Sequence, residues 1–162
     1  MQLGATSPLL AQDLAKHLGL EVRAASDLVP RSDLEALDAL QPGAFSACTF
    51  EIGARKVVVF NPLSTPGRTQ SDIAHEIAHV LLEHDVKTLE RIGAFTFFSC
   101  DPEEEQEANW LAGCLLLPRT LLARVVARSW NVDDLATRFG VSREMVNYRL
   151  RATGVERQRT RA

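Results

Sequence analysis

The 162-residue sequence predicts an α+β fold: a small β-sheet packed on one long amphipathic helix, followed by a helical C-terminal part. Three observations carry this. The β signal is confined to two adjacent runs near the middle of the chain, helical periodicity dominates everything after them, and no internal repeat or low-complexity segment interrupts the order. At 17.9 kDa the chain is long enough to bury a core without disulfides or a structural metal. With 46% hydrophobic and 24% charged residues it is neither disordered nor coiled-coil in composition.

The first helix opens at Ser7-Pro8, with Ser7 as N-cap and Pro8 in the first turn, and stops at Gly19. A second, short helix starts at Ser32, where Ser32 and Glu35 have the spacing of a capping box, and ends before Pro42-Gly43. The runs Ala47–Ile52 and Lys56–Phe60, joined through Gly53-Ala54, predict a hairpin closed by Asn61-Pro62. Ser64–Gly67 reads as a loop, and a long helix covers 69–84. After a connection containing Gly and Phe, Asp101-Pro102 opens a helix to Leu117, and Pro118 opens another to Trp130. Asn131 and Gly140-Val141-Ser142 bracket two last helices over 132–139 and 143–152, and the final ten residues are basic, poor in apolar groups and expected to fray. We divide the chain into a domain over 1–130 and a helix-turn-helix-like subregion over 131–162, packed on that domain.

No apolar stretch approaches the roughly 20 residues of a membrane span, and the N-terminus lacks the pattern of a secretory signal. The cysteines Cys48, Cys100 and Cys114 form no CxxC pair and read as reduced thiols, so the expected location is the cytoplasm. The net charge of −3 hides a split: residues 1–118 balance to −9 and residues 119–162 to +6. Such asymmetry points to a charged partner, or to a helical surface that carries arginine.

Three of the four histidines fall within ten residues, in His75-Glu76-Ile77-Ala78-His79 and His84. His75 and His79 are four apart on a predicted helix, so their imidazoles share a face and can share a metal, with Glu76 beside them to take a proton from a metal-bound water. The pattern arises by chance in about 0.7% of chains of this composition, so context has to support it. Here Ile73, Ile77, Val80 and Leu81 make the helix amphipathic, which packs the motif against the sheet instead of leaving two histidines on a surface.

A hydrolytic zinc needs a third protein ligand. His84 lies about 140° round the helix from His79 and is expected to face elsewhere. Glu105 on the next helix, one turn before Asn109 and flanked by Ala108 and Ala112, is the better source, with Asn109 placed to hydrogen-bond a ligand histidine. Glu107 is expected to point outward, and Glu103 and Glu104 are explained by the helix dipole.

The segments VVVFNP, HEIAHVLL and EQEANWLAGCLLLP, together spanning Val57–Pro118 and extending weakly to VSREMVNYRL, are similar to the ImmA/IrrE-type metallopeptidase domain family. The resemblance implies a compact glu-zincin with His75, His79 and Glu105 as ligands of one Zn²⁺ and Glu76 as general base. It also implies a protein substrate, a helix-turn-helix repressor cleaved in a stress or mobile-element response. The chain departs from the family pattern at Ser71-Asp72, Ala78 and Trp110, which concerns the shape of the cleft and leaves the ligands intact. Tyr148 and His84 are the available side chains for stabilising an oxyanion, and the strand 56–60 is a candidate edge for an extended substrate.

Two further readings belong to other classes. The segment 135–151 has the form of a helix-turn-helix whose second helix carries Arg143, Asn147, Arg149 and Arg151, which would make the protein a DNA-binding regulator. The ordinary alternative is that these helices pack on the core with their arginines solvated. In the third reading the chain is a partner-binding, antitoxin-like module with a metal site that is not catalytic.

Overall fold

The structure is a computed structural model, and it describes residues 7–53, 55–84, 89–92, 95–98, 101–126 and 130–155. It is α+β. Helix α1 (Ala11–His17) leads into strand β1 (Glu21–Ala24), a short 3-10 turn (Ala25–Asp27) and helix α2 (Arg31–Leu40). Strands β2 (Ala47–Ile52) and β3 (Arg55–Phe60) precede the long helix α3 (Pro66–Leu81). A second hairpin, β4 (Leu89–Ile92) with β5 (Phe95–Phe98), comes before helices α4 (Pro102–Leu116), α5 (Arg119–Val126), α6 (Val132–Phe139) and α7 (Arg143–Thr153).

The expected hairpin forms, with β2 antiparallel to β3 in a register that sets Cys48 opposite Val59 and Phe50 opposite Val57. The sheet has a third strand that the sequence reading omitted: β1 pairs in parallel with the other side of β3, giving the order β1-β3-β2. Four residues, Glu-Val-Arg-Ala, are too few for a strong pattern, although their period-2 alternation is present. β3 is therefore the central strand, and the expectation that strand 56–60 offers an edge is corrected: β2 and β1 are the edges. The pairing β4–β5 lies where a plain connection was expected.

Alternation in the sheet divides the interior in two. Val58 faces α3 in the main core with Ile73, Ile77, Leu116 and Leu122, while Val57 and Val59 face α2 and pack on Leu34 and Ala25. The main core also takes in Leu135, Phe139, Val146 and Leu150, so it draws on both sides of the boundary assigned at residue 130.

Three helix starts differ from expectation, each for a local reason. α1 begins at Ala11 without a side-chain cap, and Ser7 does not cap it. Gln70 on α3 does this work from a distance, accepting from the Ala11 N–H at 2.9 Å and donating to the Leu9 carbonyl at 2.6 Å. α2 starts at Arg31 behind Pro30, which leaves Ser32 inside the first turn and the Ser32–Glu35 capping box unformed. α3 starts three residues earlier than expected, because Thr65 caps it and Pro66 occupies the first turn, the same grammar that opens α4 at Asp101-Pro102. Gly67, which looked like loop, is glycine for packing: a Cβ there would lie 2.6 Å from the Val141 carbonyl oxygen.

The ends of α6 and α7 follow the sequence closely. Asn131 and Asp134 form a reciprocal capping box, Gly140 ends α6 in the left-handed region, and Ser142 caps α7. The expected fraying does not begin at residue 153: Thr153 Oγ1 donates to the Arg149 carbonyl and Val155 is buried. Residues 156–162 lie outside the described residues, as does Cys100, while Cys48 is buried on β2 and Cys114 is half-buried on α4. Among the described residues, no helix is long and apolar enough to cross a membrane.

Candidate metal centre

α3 positions the site. Ile73, Ala74, Ile77 and Ala78 are buried toward the core, and Ala108 and Ala112 of α4 are fully buried in the same cluster. Four alanines at this contact let the two helices approach closely, which brings Glu105 of α4 over the histidines of α3.

The geometry is compact. His75 Nε2 and His79 Nε2 are 3.0 Å apart, with their rings edge to face at 78°. Glu105 Oε2 lies 3.2 Å from His75 Nε2, and Glu105 Oε1 lies 3.4 Å from His79 Nε2. His75, His79 and Glu105 each offer one ligand atom, all within 4.8 Å of one another. Donors bound tetrahedrally at about 2.0–2.1 Å are separated by about 3.3 Å, close to the 3.0 Å between the two imidazole nitrogens, and the Glu105 carboxylate sets one oxygen against each of them. Two imidazole nitrogens and one carboxylate also form a chemically suitable set for a divalent transition ion, and the residues present therefore fit a metal.

Glu76 sits beside this cluster and is only 4% exposed. Its Oε2 accepts a 2.7 Å hydrogen bond from the hydroxyl of Thr49 on β2, a partner that sequence reading missed. The signal was unreadable in one dimension, because the two residues are 27 apart and meet only when the inner face of β2 lies on α3. One turn ahead of Glu76, Asp72 is buried against Arg68, whose Nε is 2.9 Å from Oδ1. Burial pushes the Asp72 carboxyl up from the usual range, and the Arg68 guanidinium opposes that rise.

Arg68, Asp72, His75, Glu76 and Glu105 line a cleft of about 890 Å³. One wall is the start of β2, at Ser46 and Ala47. The floor is α3 and α4, with Asn109 and Gln106 in the lining, and the far wall is α7, with Glu144, Met145, Tyr148 and Arg151. Asn109, expected to support a ligand histidine, is exposed and lines the cleft one turn beyond Glu105. His84 lies against His79. It is not one of the three clustered donors, but its Nδ1 lies 2.9 Å from the Nδ1 of His79. Glu107 points outward as expected, yet its carboxylate reaches His84 Nε2 at 3.2 Å.

The four residues expected to contact DNA separate. Arg149 is 3% exposed, and its Nε donates to the Leu117 carbonyl at 3.1 Å while its stem lies against Gly113, where a Cβ would approach Arg149 Cδ to 2.3 Å. A guanidinium used this way cannot reach a phosphate or a base edge, so Arg149 is corrected to a packing residue. Arg143 is exposed and paired with Asp133, Asn147 is exposed, and Arg151 faces the cleft. α7 is also bolted to α3: the Ser142 N–H donates to Ser71 Oγ, which itself donates to the Gly67 carbonyl.

Comparison with known proteins agrees with this architecture. The model of the IrrE N-terminal-like domain, peptidase family M78, matches residues 15–151. A solved structure of a Mycobacterium tuberculosis transcriptional regulator shares the fold at a TM-score of 0.50 and 20% identity. The similarity covers 86% of this chain and 39% of that one, so the chain spans about two-fifths of that protein's length. No curated protein sequence matches significantly.

Proposed function

Because the chain belongs to the IrrE N-terminal-like family of M78 peptidases, a metal-dependent family, we propose that it hydrolyses a peptide bond of a protein substrate in the cleft between β2, α3, α4 and α7. The observation that carries this reading is the convergence of His75, His79 and Glu105 beside a buried, hydrogen-bonded Glu76. In this reading the three converging residues hold one Zn²⁺. When bound, the ion supplies Lewis acidity, lowering the pKa of water and polarising the scissile carbonyl.

The remaining chemistry belongs to the chain's own side chains. Glu76 accepts the proton of the attacking water and delivers it to the leaving amine. Thr49 fixes one oxygen of that carboxylate and leaves the other to exchange the proton. Tyr148, half-buried in the cleft wall and the one tyrosine of the sequence, is the phenol available to donate to the carbonyl oxygen as charge develops there. The outer edge of β2, which among the described residues pairs with β3 alone and begins in the cleft at Ala47, suits an extended peptide added as a further strand.

The proposed substrate is a helix-turn-helix repressor in the cytoplasm, which follows from the family resemblance. The DNA-binding reading draws less support, because α7 spends Arg149 on packing and turns Arg151 toward the cleft. Co-expression with the regulator encoded beside the gene tests the proposal. Glu76→Gln should lower cleavage by about 10²- to 10⁴-fold while zinc content and fold are retained. Cleavage at the wild-type rate by Glu76→Gln would overturn it.

A further inference from the structure

We infer that His84 is a positioning residue for the metal site: it fixes the tautomer and orientation of His79, and Glu107 fixes His84 in turn. The inference rests on the reading of His79 as a metal ligand. Three side chains form one hydrogen-bonded line, with His79 Nδ1 at 2.9 Å from His84 Nδ1 and His84 Nε2 at 3.2 Å from Glu107 Oε2.

The direction of that line follows from its outer end. A carboxylate only accepts, so the hydrogen between His84 and Glu107 sits on His84 Nε2. Neutral His84 then has a bare Nδ1, which can only accept, and the hydrogen between the two rings sits on His79 Nδ1. Neutral His79 is left with its lone pair on Nε2, the atom that lies 3.0 Å from His75 Nε2 and 3.4 Å from Glu105. A ligand imidazole needs that tautomer, and a partner on its far nitrogen both selects it and raises its basicity.

The backbone is shaped to deliver His84. On a continued helix it would lie about 140° round from His79. Instead α3 stops at Leu81, and Glu83 takes a left-handed conformation at φ 57°, the sole non-glycine positive φ among the described residues. The Glu83 N–H then bonds the Val80 carbonyl at 3.3 Å and the His84 N–H bonds the His79 carbonyl at 3.1 Å, the pairing of a Schellman turn. Glycine is the usual residue at this position, and strain accepted elsewhere is characteristic of sites where the backbone serves function. The turn folds His84 back along His79 until its side chain is only 7% exposed.

The test is zinc affinity of the full chain, measured by competition with a chromophoric chelator. Wild type should bind one zinc and His79→Ala should lose it. His84→Leu should weaken binding by about 10- to 100-fold, and His84→Gln, whose amide oxygen accepts from His79 Nδ1, should recover most of the loss. Glu107→Gln should cost a few-fold, since its carbonyl still accepts from His84. In the zinc-loaded wild type, imidazole ¹⁵N shifts should report hydrogen on His79 Nδ1 and His84 Nε2. Wild-type affinity in His84→Leu, with zinc lost in His79→Ala, would overturn the positioning role and leave the ligand reading standing. Equal losses in His84→Leu and His84→Gln would overturn it too, as would the opposite tautomers. Zinc binding unaffected by His79→Ala would remove the ligand reading and the positioning role together. Should His84→Leu fail to fold, the wild-type tautomers and the surface variant Glu107→Gln decide.

Discussion

Helix α3 and helix α7 both set polar and charged residues among apolar ones at helical spacing, both start at a hydroxyl N-cap, and the two are joined through Ser71 and Ser142. In α3 the polar groups turn toward a common point: His75 and Glu76 border the cleft, and His75 and His79 meet Glu105 from α4. In α7 they scatter. Arg149 goes into the interior against Gly113, Arg143 pairs outward with Asp133, and Arg151 goes to the cleft. The comparison teaches that spacing is informative when function needs two side chains of one helix to meet, because i and i+4 fix that meeting locally. It is weak when function needs side chains to stay exposed, because exposure is decided by what packs on the helix.

The largest expected effect concerns the convergence on α3. If His75, His79 and Glu105 hold one zinc, metal at a thousand times its dissociation constant should stabilise the fold by about 4 kcal/mol. For a chain of this size that raises Tm by about 10 °C. Glu105→Ala should abolish the response while changing the metal-free Tm little, as its side chain is nearly one-third exposed. A scan with zinc and with a chelator checks this, and an unchanged response in Glu105→Ala would break the α3 side of the comparison.

The dispersal on α7 is tested next. Arg149→Met keeps the stem against Gly113 but strands the Leu117 carbonyl, for a cost of about 1.5–3 kcal/mol in urea unfolding. Arg143→Met, at an exposed ion pair, should stay within about 0.5 kcal/mol. Equal costs, or none at Arg149, would mean that α7 presents its arginines alike and would restore the DNA-reading surface.

A smaller effect separates orientation from binding within the site. Thr49→Val removes the hydrogen bond to Glu76 with little change in volume and should lower kcat about tenfold, the kinetic equivalent of about 1.4 kcal/mol. KM and zinc content should hold, and Thr49→Ser should retain most of the rate. A Thr49→Val enzyme with wild-type kcat would show that Glu76 is oriented by its burial alone.

These outcomes track what the sequence made legible. The β2–β3 hairpin, the capping of α4, α6 and α7 and the meeting of His75 with His79 are consequences of local chemistry, and they appear in the sequence. Thr49 against Glu76, Gln70 capping α1 and Arg149 reaching Leu117 join residues 27 to 61 positions apart, and nothing in their neighbours signals the pairing. His84 is the instructive intermediate. Its distance from His79 is local, but helical arithmetic sent it to the wrong face, because the helix ends at Leu81 on a left-handed Glu83 where no glycine announced the turn.

The smallest effect tests why α3 tolerates another acid one turn before Glu76. Asp72 is 8% exposed and paired with Arg68, and burial raises its folded-state pKa above the unfolded value of 3.8. The folded protein therefore holds this proton more tightly than the unfolded chain does. The contribution of Asp72 to stability is greatest below the unfolded value, declines as pH rises through the raised folded value, and is level above it. Asp72→Asn keeps the size and an acceptor for Arg68 but has no charge to desolvate. Urea midpoints of the two metal-free proteins, measured from about pH 4 to 7, should show the wild type losing ground to the variant as pH rises. A wild-type advantage that grows with pH would mean that the Arg68 pair outweighs burial. α3 would then hold its buried acid by attraction, the way α7 holds Arg143 at its surface, and the contrast between the two helices would narrow to the metal cluster alone.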